Sequence, residues 1–399
     1  MTVPIQRRIL TMNRGSSTLK SALYQSGKHD ELLLSISLDH ASGSGGRLKI
    51  ADSSGAAVFD SAVDDGSSNA ALEVMLGWMG DHGFFAQLAA VGHRLVHGGP
   101  RYRDPQRITP EFMSEIEKLV PLDPDHMPAA IAGIQFIARK FPDLPQVACF
   151  DTAFHSCLPK VARMYALPRR LYDQGIFRYG FHGLSYEYVM SELQALEGKL
   201  AGGRVIIAHL GSGASMVAVK EGKSIDTSMG FTPLEGLVMA TRCGDVDPGA
   251  LLYLLENEKV SAKDLSTLLN KESGLLGVSG TTGDMRELVD KIDQDPWAEE
   301  AVDLFSYRAK KYIGAYAAAL GGLDVLVFAG GIGERAPVIR KRICDGLDFL
   351  DIRLDSTPNE ANAPVISSAE SRVKVRVIKT NEDLMIVRHV ASLLGWTNP

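Results

Sequence analysis

The feature that most constrains the fold of this chain is a pair of short apolar strands joined by a Gly/Ser turn. Residues 205–208 are an apolar, β-branched run, the turn at 209–213 reads HLGSG, and the apolar run 215–219 follows at once. Strand, Gly/Ser turn and strand predict a β-hairpin. Small residues at such a turn expose backbone N–H groups and make a nest for an anion, although a tight turn without a ligand is the alternative.

The same pattern occurs a second time near the N-terminus. Residues 8–12 are apolar, residues 13–18 (NRGSST) are a polar Gly/Ser turn, and residues 19–24 continue as a strand that carries Lys20 within reach of a phosphate. Two phosphate hairpins far apart in one chain resemble those of the actin, sugar-kinase and Hsp70-type ATPase superfamily. In that superfamily two like domains close on a nucleotide.

Length, charge and cysteine spacing exclude several classes of protein. The 399 residues are enough for two or three domains, and a net charge of −6 without a dense Lys/Arg stripe argues against a nucleic-acid partner. The sequence has no apolar run of membrane-spanning length and no signal-peptide pattern, so no membrane partner is expected. Without Cys-x-x-Cys spacing, the four cysteines (Cys149, Cys157, Cys243 and Cys344) indicate reduced thiols of a cytoplasmic protein.

Periodicity and turn residues predict the other elements of an α/β fold. Strands are predicted over residues 32–38, 48–50, 89–96, 146–150, 324–329 and 373–379. Helices are predicted over residues 70–79, 128–140, 185–196 and 249–257, from Thr109-Pro110, from the capping box at Ser261, from Asp295-Pro296 to Gly321, from Pro337 and from Leu384.

Two charged residues stand inside or directly after predicted strands. Arg94 interrupts the apolar strand 89–96, and an arginine on an edge strand is the ordinary explanation, since most charged residues are exposed. Asp151 follows strand 146–150, and open α/β sheets place site residues at the carboxyl ends of their strands. The alternative is that Asp151 caps the next turn.

Three further segments carry polar residues beside glycines. His182 lies between glycines in RYGFHG, although a lone histidine is more often a surface or hydrogen-bonded residue. Residues 279–286 (SGTTGDMR) form a loop that carries Asp284 and Arg286. Strand 324–329 runs into a glycine loop and then a helix, an arrangement that binds phosphate or ribose.

Taken together, these segments resemble the acetate kinase (acetokinase) family along nearly the whole chain. Nine stretches match in order and spacing: NRGSSTLK, GHRLVHGG, FDTAFH, RYGFHG, HLGSGAS, MGFTPLEGLVMATRCGDVDP, SGTTGDMREL, FAGGIGER and TNED. Nine ordered matches are a far stronger signal than any one of them.

The resemblance implies an α/β fold of two similar actin-like ATPase domains, ribonuclease H-like mixed sheets flanked by helices, with a nucleotide cleft between them. We expect an N-terminal domain of residues 1–152 plus 384–399 and a C-terminal domain of residues 153–383 that carries the nucleotide site. The implied activity is reversible transfer of the ATP γ-phosphoryl group to acetate, giving acetyl phosphate and ADP. Mg²⁺, a small carboxylate substrate and a cytoplasmic homodimer are implied with it.

The family motifs also imply a role for individual residues. Asn13 and Glu382 would hold or orient Mg²⁺, and Arg94 would bind the carboxylate beside an acyl pocket lined by Val96, Phe181 and Pro233. Asp151 matches the catalytic acidic residue, and His182 and Arg242 match residues that stabilise the transition state. The residues implied at the phosphates and nucleotide are Lys20, His209, Leu210, Gly211, Ser212, Gly213, Asp284, Met285, Arg286, Gly331, Ile332, Gly333, Glu334 and Arg335.

The chemistry of this transfer favours the same residue types. A short carboxylic acid is ionised at neutral pH, so the nucleophile needs no general base. The difficulty is that the carboxylate anion must approach the polyanionic phosphates of ATP. Arginines and Mg²⁺ overcome this repulsion by positioning the phosphate oxygens and neutralising their charge. Arginine suits both tasks because its planar fork binds carboxylate and phosphate bidentately. We therefore expect Asp151 to organise metal and arginines rather than to abstract a proton.

Three residues depart from the family pattern. Ser212 replaces an asparagine in the second hairpin, and Arg335 replaces an asparagine at the end of the glycine loop. Asp125, in PLDPDHMP, stands where the family has a leucine that contacts the methyl end of the substrate. A carboxylate in a dry pocket is unfavourable, so we expect Asp125 to turn to solvent, with His126 as a possible partner.

Two alternatives remain at this point. A nucleotide-binding switch or filament protein of the same superfamily would need both hairpins but not Arg94, His182 or Arg242 together. Among enzymes, a propionate, butyrate or other short-chain carboxylate kinase is the other candidate.

Overall fold

The computed structural model describes residues 7–14, 19–40, 46–63 and 68–396. By packing, the described chain divides into two compact units, one formed by the residues up to Ala153 together with those from Asn381 onward, and one formed by Phe154–Thr380. The tip of the N-terminal hairpin, residues 15–18, lies outside the described residues.

The first unit is built on an eight-stranded mixed sheet, counted over the described part of the chain. Its strands are β1 (Arg7–Arg14), β2 (Leu19–Ser26), β3 (Glu31–His40), β4 (Gly46–Asp52), β5 (Ala57–Val63), β6 (Leu88–Leu95), β7 (Gln106–Arg107) and β8 (Gln146–Phe150). They lie in the order β5-β4-β3-β2-β1-β6-β8-β7. Strands β1 to β5 pair antiparallel in sequence, whereas β6 lies parallel to β1 and β8 parallel to β6.

Three helices accompany this sheet: α1 (Ser68–Asp81), α2 (Pro110–Glu117) and α3 (Met127–Lys140). Helix α2 begins as predicted, with Thr109 accepting a hydrogen bond from the Phe112 amide and Pro110 in the first turn. Its buried residues Phe112 and Ile116 join Leu95 and Phe150 of the strands in one apolar cluster. This burial fixes the carboxyl ends of β6 and β8 from one side.

The second unit repeats the centre of the first sheet. Its strands are β9 (Arg204–Leu210), β10 (Ala214–Lys220), β11 (Lys223–Thr227), β12 (Val325–Ala329) and β13 (Lys374–Val377), in the order β11-β10-β9-β12-β13. The pairings are antiparallel, antiparallel, parallel and parallel along that order. Strands β3-β2-β1-β6-β8 pair in the same sequence of directions, so the two units share one core topology.

Helices of the second unit flank its sheet. They are α4 (Lys160–Arg163), α5 (Arg169–Asp173), α6 (Gly183–Glu197), α7 (Pro248–Glu256), α8 (Ala262–Lys271), α9 (Gly274–Ser279), α10 (Met285–Val289), α11 (Pro296–Leu320), α12 (Gly330–Arg335), α13 (Pro337–Cys344) and α14 (Ser356–Glu360). The predicted caps are confirmed: Ser261 accepts from the Asp264 amide at α8, and α11 runs from an Asp295 N-cap to a left-handed Gly321.

The last helix, α15 (Glu382–Leu393), packs on the sheet of the first unit. A Cβ at Gly92 of β6 would lie 2.3 Å from Ile386 and 2.8 Å from Val390, so only glycine allows this close approach. The helix begins two residues before the predicted Leu384, because the Asn381 side chain caps it by accepting from the Leu384 amide. Residues 381–383, assigned from the sequence to the second domain, therefore pack with the first unit.

The predicted fold class, α/β with two similar units on mixed sheets flanked by helices, is confirmed. Three strands, β5, β7 and β11, were not predicted from the sequence, and β7 has only two residues. Among the described residues, no helix combines the length and apolar character needed to span a membrane.

Candidate functional site

The first unit gathers charged residues where two neighbouring parallel strands end. Arg94 lies on β6, opposite Cys149 of β8, and Asp151 follows β8 directly. The Arg94 Nε and Nη2 atoms donate to the two carboxylate oxygens of Asp151 at 2.9 and 2.5 Å. Because β6 lies between β1 and β8, Arg94 is not on an edge strand, and the buried Asp151 carboxylate pairs with it.

Asn13 and Glu382 complete this cluster. The Nη1 atom of Arg94 donates to Asn13 Oδ1 at 2.8 Å, and Asn13 Nδ2 donates to Glu382 Oε2 at 3.1 Å. The same Glu382 oxygen lies 3.9 Å from Arg94 Nε. Burial alone would lower the pKa of Arg94, but the charges of Asp151 and Glu382 raise it above its ordinary value, so the guanidinium stays charged.

A further carboxylate, Asp383, lies behind Glu382. Thr11 donates to Asp383 Oδ1 at 2.6 Å, and burial raises the pKa of this carboxyl against the effect of that hydrogen bond. Two other sequence-predicted residues flank the cluster on the strands: Lys20 is exposed and pairs with Asn13 across β1 and β2, and Val96 is half-buried just past β6.

In the second unit, the predicted hairpin is confirmed as β9, a turn and β10. A Cβ built at Gly213 in this turn would lie 3.4 Å from His182 Nε2 and 3.5 Å from Arg242 Nη2. The structure therefore brings His182 and Arg242 together at the hairpin. Arg242 is held there by donating from Nη1 to the Pro233 carbonyl at 2.8 Å.

His182 is not a lone surface histidine. It adopts a left-handed conformation, with φ of 57°, at the residue before α6. Its Nδ1 lies 2.8 Å from Ser215 Oγ, which is also hydrogen-bonded to the Tyr186 hydroxyl. Its ring stacks on His209 with centroids 4.5 Å apart. These contacts fix the ring with Nε2 on the side of the hairpin.

His209 has a matching arrangement on the other side of the stack. Its Nδ1 lies 2.8 Å from Ser185 Oγ, and Ser185 Oγ lies 2.8 Å from Thr380 Oγ1. Both histidines therefore have a serine at Nδ1. The hairpin tip itself is tied down by Ser212, whose carbonyl accepts from the Ala240 amide at 2.9 Å.

The predicted glycine loop after β12 is confirmed and forms the short helix α12. Gly330 has φ of 74°, and a Cβ there would lie 2.7 Å from the Leu210 carbonyl oxygen, so glycine is required beside the hairpin strand. Glu334 is buried and accepts from the Thr380 amide at 3.2 Å. Gly331 and Arg335 are exposed, Ile332 is half-buried and Gly333 is buried.

The Asp284–Arg286 pair has a local structural role in the structure. Asp284 caps α10 by accepting from the Arg286 amide, and the two side chains form a two-bond ion pair. Hydrogen bonding from Arg286 lowers the pKa of the Asp284 carboxyl. Met285 is buried and Arg286 is exposed, and a nucleotide contact for these residues stays a prediction.

The candidate acyl-pocket residues differ in exposure. Phe181 is buried, and its carbonyl lies 3.0 Å from His155 Nε2, whereas Pro233 is half-buried. Asp125, the departure from the family pattern, is exposed. His126, a possible partner of Asp125, has its Nδ1 2.9 Å from Asp123 Oδ1, and a pairing of His126 with Asp125 stays a prediction.

Several residues with close contacts to the candidate site were missed from the sequence. Ser215 and Tyr186 hold His182, Ser185 and Thr380 hold His209, and Thr11 holds Asp383. Thr11, Ser185, Tyr186 and Ser215 lie in ordinary strand or helix segments, and Thr380 lies in the loop between β13 and α15, so most of them have no distinctive local pattern. The signal available for Ser215 was its place as a polar residue in an apolar strand next to the turn.

Comparison with known proteins gives concordant matches. The model of the acetokinase family matches residues 8–388. An acetate kinase of Rhodopseudomonas palustris is 46% identical over 394 residues, which cover 96% of this chain and 97% of that protein. The crystal structure of the Porphyromonas gingivalis acetate kinase superimposes with a TM-score of 0.88 at 40% identity, covering 97% of this chain and 100% of that one. A propionate kinase from Francisella tularensis gives a TM-score of 0.89 at 37% identity, covering 96% and 98%.

Proposed function

Since the chain belongs to the acetokinase family, whose members are phosphotransferases, we propose that it is an ATP:acetate kinase. The reaction is reversible: an acetate oxygen bonds to the γ-phosphorus of ATP, the bond from that phosphorus to the β,γ-bridging oxygen breaks, and ADP leaves.

The observation that carries the proposal is the way Arg94 is held. Its guanidinium has five N–H donors, of which Asp151 accepts one from Nε and one from Nη2, and Asn13 accepts one from Nη1. Within the described residues, this leaves one N–H on Nη1 and one on Nη2 to bind the two oxygens of a carboxylate. Asp151 thus fixes the direction in which Arg94 presents that edge.

His182 and Arg242 fit the second task, which is stabilising charge on the transferred phosphoryl group. Both present a nitrogen at the hairpin turn, near Gly213. An arginine that meets a phosphoryl group in the transition state accelerates such transfers about 10³–10⁵-fold. We assign the phosphates to His209, Leu210, Gly211, Ser212, Gly213 and Lys20, and the rest of the nucleotide to Asp284, Met285, Arg286, Gly331, Ile332, Gly333, Glu334 and Arg335.

The residues of the first unit fit a magnesium ion that comes with the nucleotide. Among the described residues, no group of three or more His, Cys, Asp or Glu side chains could hold a metal alone. Mg²⁺ prefers oxygen ligands and is commonly bound through one or two carboxylates together with phosphates and waters. Glu382 would supply the carboxylate and Asn13 would orient it, and the ion, when bound, neutralises phosphate oxygens.

A homodimer agrees with one exposed surface of the second unit. Helix α7 is strongly apolar, yet none of its residues is buried, and Leu252 and Tyr253 are 55% and 56% exposed. Apolar surface of this kind marks an interaction site. We propose that a second copy of the chain covers it in the cytoplasm, and light scattering of Leu252→Glu should then report a monomer.

A carboxylate ladder tests the proposed function. Purified protein is incubated with Mg-ATP and formate, acetate, propionate or butyrate, with acyl phosphate trapped as the hydroxamate and ADP measured in parallel. Equal yields of hydroxamate and ADP with the highest kcat/KM for acetate are expected. A higher kcat/KM for propionate would replace acetate as the substrate, and ADP release that ignores every carboxylate would refute the proposal.

A further inference from the structure

Glu235 directs its carboxylate back into the loop that carries it. Arg178 Nη2 donates to Glu235 Oε1 at 2.6 Å, and the Tyr165 hydroxyl donates to Oε2 at 2.5 Å. A Cβ at Gly230 would lie 1.6 Å from Glu235 Oε2, so the glycine makes room for the carboxylate. Residues 228–236, here called the carboxylate loop, thus turn the Glu235 side chain back toward Gly230, where it binds Arg178 and Tyr165 from outside the loop.

The two partners of Glu235 also hold the first half of the carboxylate loop. Arg178 Nη1 lies within hydrogen-bonding distance of the carbonyls of Thr227, Ser228 and Met229, at 3.2 to 3.4 Å. Tyr165 accepts a hydrogen bond from the Phe231 amide at 2.8 Å. Glu235 therefore joins the end of the carboxylate loop to the same two side chains that fix its beginning.

A second carboxylate fixes the far end of the carboxylate loop. Asp245 accepts from the Gly236 amide at 2.9 Å and from the Tyr312 hydroxyl at 2.8 Å. The middle of the carboxylate loop then supplies one contact to the candidate site, the Pro233 carbonyl that accepts from Arg242 Nη1. The position of Arg242 thus depends on a backbone carbonyl held between these two anchors.

We propose that Glu235 is a positioning residue: by binding Tyr165 and Arg178 it sets the Pro233 carbonyl, which aims Arg242 at the hairpin turn. This rests on the proposed function, in which Arg242 meets the transferred phosphoryl group. Misplacing a group that acts in the transition state by about 1 Å can cost about 10²-fold in rate. Loss of Glu235 is therefore felt in kcat much more than in the KM for ATP.

The chain offers a matched control for this inference. Asp324 accepts two side-chain hydrogen bonds from Arg204 in the same unit, at 2.5 and 3.0 Å, where β9 begins. Glu235 likewise accepts two side-chain hydrogen bonds, one from Arg178 and one from Tyr165. Asp324 and Arg204 lie at the opposite end of β9 from His209. Asp324→Asn removes an arginine–carboxylate pair of the fold without touching the carboxylate loop.

Glu235→Gln, Tyr165→Phe and Asp324→Asn are compared with wild type for kcat, for the KM of ATP and acetate, and for thermal unfolding. We expect kcat to fall about 10²-fold in Glu235→Gln and about tenfold in Tyr165→Phe, with the KM for ATP within about threefold, while Asp324→Asn keeps wild-type kcat. The double variant Glu235→Gln/Tyr165→Phe should lose no more than the stronger single variant, because both act through one loop.

Wild-type kcat in Tyr165→Phe together with wild-type kcat in Glu235→Gln would overturn the inference, as would equal kcat losses in Glu235→Gln and Asp324→Asn. If Glu235→Gln does not fold, Tyr165→Phe alone decides. A wild-type enzyme that forms no acyl phosphate would instead refute the proposed function.

Discussion

Arg94 and Asp151 face each other across the neighbouring parallel strands β6 and β8, joined by two hydrogen bonds in bidentate geometry. A carboxylate engaged in this way at both oxygens is poorly placed to take a proton from a substrate. Acetate has no proton to give at neutral pH in any case. We therefore propose that Asp151 orients Arg94.

Asp151→Asn should raise the KM for acetate and lower kcat/KM about 10²-fold, because the neutral amide no longer fixes the guanidinium. The remaining activity should keep the wild-type pH profile, since no proton transfer is lost. Recovery of activity at high pH or with added imidazole would show instead that Asp151 is a general base.

Arg242→Ala should lower kcat by about 10³–10⁵-fold, the range that a phosphoryl-stabilising arginine supplies. Arg242→Lys should recover little of it, because a lysine cannot both donate to the Pro233 carbonyl and present a second nitrogen at Gly213. Steady-state kinetics in the direction of acetyl phosphate formation measures both. Turnover near wild type in Arg242→Ala would remove this residue from the mechanism.

Ser215→Ala should lower kcat about tenfold with little change in the KM for acetate, because the His182 ring loses the hydroxyl that fixes its orientation. Ser224→Ala serves as the control, since Ser224 makes an equivalent contact with the buried His155 at 2.9 Å. Nitrogen-15 shifts of the histidine rings report whether the His182 tautomer changes. An identical kcat in both variants would assign Ser215 to stability alone.

Two buried histidines should make the protein acid-sensitive. Burial lowers the pKa of His93 and of His155 to about 4, from an ordinary 6.5. Between these values the unfolded chain binds protons that the folded chain does not, so stability is full above pH 6.5 and falls as pH drops toward 4. As pH falls through that range, each histidine lowers the free energy of unfolding by about 3 kcal/mol.

Urea unfolding between pH 7 and 4.5 measures this dependence. His93→Gln should flatten the slope of unfolding free energy against pH by about half. Ile134→Val, a core substitution without a titratable group, should lower stability by the same amount at every pH. An unchanged slope in His93→Gln would mean that this ring already carries a proton when folded.

Asp125→Leu restores the family residue at an exposed position. Because the side chain faces solvent, the change in kcat/KM for acetate should be less than about threefold, under about 1 kcal/mol. Assays of this variant with formate, acetate, propionate and butyrate measure the change in kcat/KM. A large gain for acetate, coupled with loss of activity on another acid, would show that acetate is not the native substrate.

Much of the fold could be predicted from local sequence patterns, namely those of turns and helix caps, which the folded structure retains. The hairpin around residues 209–213, the Asp295 and Ser261 caps and the glycine loop after β12 each have a turn or cap chemistry that is visible in sequence. Strand β7 was missed because two residues on an edge leave no period to detect. Helix α15 begins two residues before the predicted Leu384, because its N-cap is Asn381, a residue that the sequence pattern placed in the loop after the last strand.

The charged residues of the candidate site could be predicted from the sequence, but the residues that hold them in position could not. Arg94 and Asp151 stand out as charges at strand ends, but they are 57 residues apart in the chain, and their pairing depends on β6 and β8 being neighbours in the sheet. Glu235 gave no local signal, because a glutamate in a loop is ordinary, and the polar Ser215 in an apolar strand gave a signal that does not say what its side chain contacts. Their importance arises only from what folding places beside them.

Phosphorus-31 NMR of one reaction mixture tests the central claim most directly. Protein, Mg-ATP and carbon-13-labelled acetate should give acetyl phosphate and ADP at equal initial rates, and added acetyl phosphate with ADP should regenerate ATP. Arg94→Ala should slow both directions by the same factor, since it acts on one shared transition state. Inorganic phosphate as the direct product, at a rate independent of acetate, would contradict the account.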